Sequence, residues 1–217
     1  MSAVPSITWH AGAMHTRANS LPSVKKAVAH NAQIVEFDVT FAPDSSPVII
    51  HSASPKQGKG SSLSAAFAIV AQSASCKINL DLKAYSNLPA VDALAREHGL
   101  FERVFFTGVN EKQTAVVAAN SEIPYYLNGS VDISARNDDL RLNEYAKRII
   151  DCGAVGLNTH FTNITPSVVR VMHENGLLVS AWTANDRVTQ KRLLEAGVDN
   201  ITTKAPKKLE RLLCTKI

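Results

Sequence analysis

This 217-residue chain lacks the marks of several large protein classes. It has three cysteines, Cys76, Cys152 and Cys214, scattered, odd in number and without metal-ligand spacing. That argues against a disulfide-stapled scaffold and fits a reducing compartment. No apolar run is long enough to span a bilayer, so no transmembrane segment is expected. Met1–Pro5 leads straight into Ile7-Thr8-Trp9 without a basic and apolar leader, so the expected location is cytoplasmic. Neither a Gly-x-Gly-x-x-Gly fingerprint nor a Gly-Lys-Ser/Thr loop occurs, which leaves a nucleotide-binding fold without support. No basic stripe is interleaved with aromatics, so no nucleic-acid partner is expected. No linker or low-complexity stretch divides the chain, and a single domain over residues 1–217 is expected. Oligomeric state is left open.

Composition is that of a globular protein, 45% hydrophobic and 19% charged. The net charge of +4 permits an anionic substrate. Lys204, Lys207, Lys208, Arg211 and Lys216 concentrate positive charge at the C-terminus, where a last helix is expected to present them to solvent.

Strand-like and helix-like runs alternate throughout. Strands are predicted at 7–11, 34–41 with a return at 48–51, 77–83, 104–107, 125–128, 155–158, 178–182 and 201–203. Helices are predicted between and after them at 21–30, 63–71, 89–98, 111–119, 142–151, 166–174, 187–196 and 206–214, many with Ser or Pro at the start and Gly at the end. Strict alternation implies a parallel sheet. Eight such units close naturally into a (β/α)8 TIM barrel, at the short end of the usual ~200–400 residues. Residues 52–62, rich in Lys, Gly and Ser, are expected to form a flexible loop at the mouth.

Ile34-Val35-Glu36-Phe37-Asp38-Val39 carries the chemistry. Alternation along a strand sends Glu36 and Asp38 to one face. Two like charges in apolar surroundings are costly unless a cation lies between them, and oxygen ligands suit Mg²⁺ or Ca²⁺. A turn at 42–47 would bring His51 back to the level of these carboxylates, where it could act as a general acid or base. In a barrel, chemistry gathers at the C-terminal strand ends. There stand His10, Asn79, Asp81, Lys83, Asn128, Asn158, Trp182 and Asn185.

His10-Ala11-Gly12, Glu36-Phe37-Asp38, Pro47–His51, Asn79–Lys83, Ala181–Asn185 and Gly197–Thr203 follow, in order, a pattern that resembles the glycerophosphodiester phosphodiesterase family. The resemblance spans nearly the whole chain. It implies a phosphodiesterase barrel of the phospholipase C-like type. It implies His10 and His51 as the acid/base pair, Glu36, Asp38 and Asp81 as ligands of Mg²⁺ or Ca²⁺, and Lys83 as a cation beside the phosphate. The implied activity is metal-dependent hydrolysis of a small-molecule or lysolipid phosphodiester, giving an alcohol and a phosphomonoester or cyclic phosphate. Four departures stand out: Ala11 where the family usually has Arg, Ala18-Asn19-Ser20 where it has Glu-Asn-Thr, Asp81 for Glu, and a nearly absent insertion after His51. Arg17 or Lys83 is then expected to hold the phosphate, with Asn158 and Trp182 lining the substrate. The short insertion also looks like sphingomyelinase D-type phospholipases, and Trp9-His10-Ala11 is similar to menorin-type domains. A catalytically idle binding protein on the same barrel is the alternative.

Overall fold

In this computed structural model residues 4–214 are described; residues 1–3 and 215–217, Lys216 among them, lie outside the described residues. Eight parallel strands close on themselves. They are β1 (Ser6–Trp9), β2 (Ile34–Phe41), β5 (Lys77–Leu82), β6 (Val104–Val109), β7 (Tyr125–Asn128), β8 (Gly156–His160), β9 (Leu178–Trp182) and β10 (Asn200–Thr203). Closure runs through β1, which pairs with β10 from Ser6 to Trp9 and with β2 at Thr8–Ile34 and Trp9–Val35. Two antiparallel strands, β3 (Pro47–Ile49) and β4 (Ser61–Ser62), extend the sheet beyond the tail of β2. Ser61 and Ser62 were expected in a loop; they pair because β3 offers them a free edge.

Helices α1 (Leu21–Ala29), α2 (Leu63–Val70), α3 (Leu88–Glu97), α4 (Thr114–Asn120), α5 (Asp139–Asp151), α6 (Pro166–Glu174), α7 (Arg187–Ala196) and α8 (Pro206–Cys214) connect and cover the strands. Ser20, the expected cap of α1, accepts the amide of Ser23, and Thr165 and Asp186 likewise cap α6 and α7 by accepting the amides of Val168 and Thr189. α5 begins three residues before the apolar periodicity, because Asp138 caps the amide of Arg141. β1 stops at Trp9 and leaves His10 on a turn rather than on the strand. No helix among the described residues is long and apolar enough to cross a membrane.

The alternation on β2 divides the molecule into two interiors. Val35, Phe37 and Val39 join Phe67, Leu80, Phe106 and Leu127 in one apolar core between barrel and helices. Each such fully buried side chain contributes about 1.5–3 kcal/mol. Glu36, Asp38, Asn79, Thr107, Asn158 and Thr202 instead face the barrel interior, which is polar near its mouth. Beneath them Thr8 donates to Asn200 at 2.8 Å, and Asn200 donates to Ser180 at 2.9 Å. This satisfied network offsets the desolvation of the buried groups.

Candidate active site

A cavity of about 400 Å³ opens at the C-terminal end of the barrel. It brings together His10, Glu36, Asp38, His51, Asp81, Lys83, Asn158 and Trp182. Arg17 is not on its wall; it lies on an adjoining groove with Asn19, His51 and Lys59. The loop after β1 carries Arg17 away through left-handed turns at Met14 and His15.

The three carboxylates converge. Glu36, Asp38 and Asp81 each present an oxygen, all within 4.8 Å of one another. Register explains this: Asp38 pairs directly with Asp81 across β2 and β5, and Glu36 lies two residues below on the same face. Glu36 is 5% exposed, and among the described residues the Ala11 amide at 2.7 Å is its hydrogen-bond donor. Burial, then the charges of Asp38 and Asp81, push its pKa well above the usual carboxylate range. Burial also acts on Asp38, but the hydrogen bond and charge of Lys83, together with Asn19, outweigh it and hold that carboxyl below its ordinary value.

Lys83 spans the pair, 2.9 Å from Asp38 Oδ1 and 2.6 Å from Asp81 Oδ2. Its ammonium is held charged by these partners against the effect of burial. One cation thus faces three carboxylates, and among the described residues Glu36 has no direct positive partner apart from His10, at 3.7 Å. This all-oxygen, net-negative set fits a hard divalent cation.

The histidines approach the carboxylates from two turns. Ile50 donates its amide to the Asp38 carbonyl at 3.1 Å, which fixes the return of the chain. His51 Nδ1 then lies 3.1 Å from Asp38 Oδ2, with most of its ring exposed. His10 Nδ1 faces the Ala11 carbonyl at 2.9 Å. Since a carbonyl only accepts, Nδ1 carries the hydrogen and Nε2 is the basic atom in the neutral ring. Burial lowers the His10 pKa, favouring that neutral form, and the Ala11 contact opposes it in part.

Further polar groups brace these side chains. Asn19 clamps Asp38. Thr107 donates its hydroxyl to Asn79 at 2.8 Å, and the same oxygen lies 3.3 Å from Asp81 Oδ1. Asn158 donates to Asn128 at 3.0 Å, and Asn128 also accepts the Gly108 amide at 2.9 Å. Gly108 has φ +78° at an irregularity in β6, and a Cβ there would lie 2.5 Å from Asp81 Oδ1, so only glycine lets the strand approach the carboxylate here. Trp182 is 37% exposed, with His160 packed edge-on at 5.4 Å behind it. His160 itself is not on the cavity wall.

Comparison with known proteins bears on this geometry. A phosphodiesterase of Oleispira antarctica, solved with the product sn-glycerol-3-phosphate, is 21% identical, with TM-score 0.80 and 97% of each chain covered. A glycerophosphodiester phosphodiesterase of Parabacteroides distasonis is 17% identical, with TM-score 0.79, covering 100% of this chain and 99% of that one. These likenesses show the barrel fold. No curated protein matches the sequence. The model of the glycerophosphoryl diester phosphodiesterase family matches residues 10–66 and 63–208, nearly the whole barrel. The chain is accordingly a phosphodiesterase, and it belongs to the glycerophosphoryl diester phosphodiesterase family.

Proposed function

We propose that this protein hydrolyses glycerophosphodiesters or lysophospholipids in a metal-dependent reaction, releasing an alcohol and a phosphomonoester or cyclic phosphate. The observation that carries the reading is the meeting of Glu36, Asp38 and Asp81 within 4.8 Å, with His10 and His51 at their margin. The product bound to the Oleispira relative supports a glycerol-phosphate substrate. The three carboxylates would hold Mg²⁺ or Ca²⁺. Such an ion supplies positive charge opposite the phosphoryl oxygens and acidity to a neighbouring hydroxyl.

The protein groups then divide the proton transfers. His10, neutral and with Nε2 free, fits the base that takes a proton from the attacking oxygen. His51, whose Nδ1 faces the Asp38 carboxylate and whose ring is mostly open to the cavity mouth, fits the acid that protonates the leaving alkoxide. Lys83 keeps Asp38 and Asp81 in place and adds positive charge beside the phosphate. Asn158 and Trp182 line the substrate, and Arg17 meets its outer part through the adjoining groove. We take the barrel as one catalytic domain, with free cysteines that suit the cytoplasm.

The test is turnover of a panel of glycerophosphodiesters and lysophospholipids, with and without a chelator. Release of alcohol that stops on chelation and returns with Mg²⁺ or Ca²⁺ is expected. Absence of turnover across the panel, with either ion, would contradict the proposal.

A further inference from the structure

A second groove, of about 500 Å³, opens where β1 turns toward α1 and β10 toward α8. Among the described residues its walls carry Lys204, Lys207, Lys208 and His15 and no carboxylate. Lys207 is paired with Glu210 at 2.8 Å. Among the described residues, the ammonium groups of Lys204 and Lys208 have no ion-pair or hydrogen-bond partner. The backbone holds this arrangement. The Lys204 amide donates to Asn185 Oδ1 at 2.8 Å, and its carbonyl accepts the Met14 amide at 3.3 Å. The facing wall bends at Gly12, whose φ of +78° and crowding against Thr16 admit no side chain easily.

The groove is tied to the reacting centre through the backbone. Gly12 is two residues from His10, and Lys204 follows Thr203, whose carbonyl accepts the His10 amide at 3.0 Å. Within the central cavity, by contrast, the one lysine is committed to Asp38 and Asp81. A diester with a single negative charge therefore leaves Lys204 and Lys208 unmatched.

We propose that this groove binds a second phosphoryl group, and that the preferred substrate is a phosphodiester whose alcohol carries an additional phosphate. The inference rests on the phosphodiesterase reading above and names its substrate class. Two ammonium groups and an imidazole around one opening offer the donors and charge that a phosphate dianion needs.

A matched pair of probes tests it: glycerophosphoinositol and glycerophosphoinositol 4-phosphate differ by one phosphate. The ratio of their kcat/KM values should favour the phosphorylated probe by about tenfold at low salt and shrink as salt screens the contact. In the double variant Lys204→Gln/Lys208→Gln the ratio should fall toward one. A wild-type ratio near one, or a ratio that the double variant leaves unchanged, overturns the proposal. If neither probe is turned over, the substrate class proposed here fails while the panel above still decides the phosphodiesterase reading, and titration calorimetry with the phosphorylated probe decides the groove. Binding by the wild type that is lost in the double variant supports the groove; equal binding, or none, overturns it.

Discussion

Asn19 grips Asp38 at both ends: its side-chain carbonyl accepts the Asp38 amide at 2.8 Å, and its amide group donates to Asp38 Oδ2 at 2.5 Å. Asn19 does this from a left-handed conformation, φ +53°, that asparagine tolerates better than most residues. Asn19→Ala removes both bonds and should cost about 1–3 kcal/mol of stability. Asn19→Asp keeps the shape but sets a carboxylate against Asp38, and it should impair turnover more than Asn19→Ala does. Melting temperatures and turnover of the two variants, measured side by side, check the order.

Lys83 sits between two carboxylates and is largely shielded, with a side chain 21% exposed. Lys83→Met leaves Asp38 and Asp81 facing each other without their cation. In chelator the melting temperature should fall by roughly 5–10 °C. With saturating Mg²⁺ or Ca²⁺ the loss should shrink, because an ion on the carboxylates replaces the missing charge. Equal losses with and without ion would show that the carboxylates do not share a cation site.

Gly108→Ala is expected to be damaging despite its size. The new Cβ would meet both Asp81 Oδ1 and the Leu82 carbonyl at 2.5 Å, on a backbone at φ +78°. Strain of about 1–3 kcal/mol and a displaced Asp81 follow. Turnover should drop along with the melting temperature, whereas Gly99→Ala, with open space around its Cβ, should lower stability by backbone strain and spare turnover.

Alkaline pH should destabilise the fold in a defined window. Burial pushes the Cys76 thiol from 9.0 up to about 11. Burial also raises Tyr126 and Tyr145 from 10.0 to about 12. Above pH 9 the unfolded chain releases protons that the folded one retains, so stability is complete below that value and declines as pH rises. Each group contributes at most about 1.4 kcal/mol per pH unit. In Cys76→Ala the decline should begin near pH 10, where the tyrosines of the unfolded chain start to titrate, which melting curves from pH 8 to 11 would register.

Much of this architecture is legible in the sequence where a period or a cap marks it. β2 has the predicted bounds because apolar residues alternate with Glu36 and Asp38 over its length. α6 and α7 begin and end as predicted, since Thr165, Pro166, Asp186 and Gly197 punctuate them. β4 has no such mark; two serines become a strand only beside β3. The approach of His51 to Asp38 follows from the turn at 42–47, but its partner Asn19 comes from a loop whose path no periodicity encodes. The same loop takes Arg17 out of the central cavity. The lock of Lys83 onto Asp38 depends on cross-strand register, which only the closed sheet supplies.

The most direct test of the account is the rate of the chemical step in His10→Ala and His51→Ala, on the best phosphodiester, with divalent ion present. Each loss removes one proton-transfer group and should slow the step by ~10²-fold or more while the fold stays intact. His160→Ala, which removes a ring packed behind Trp182 and a cap on Thr162 but nothing on the cavity wall, should change it far less. A near-normal rate in His51→Ala would contradict the account.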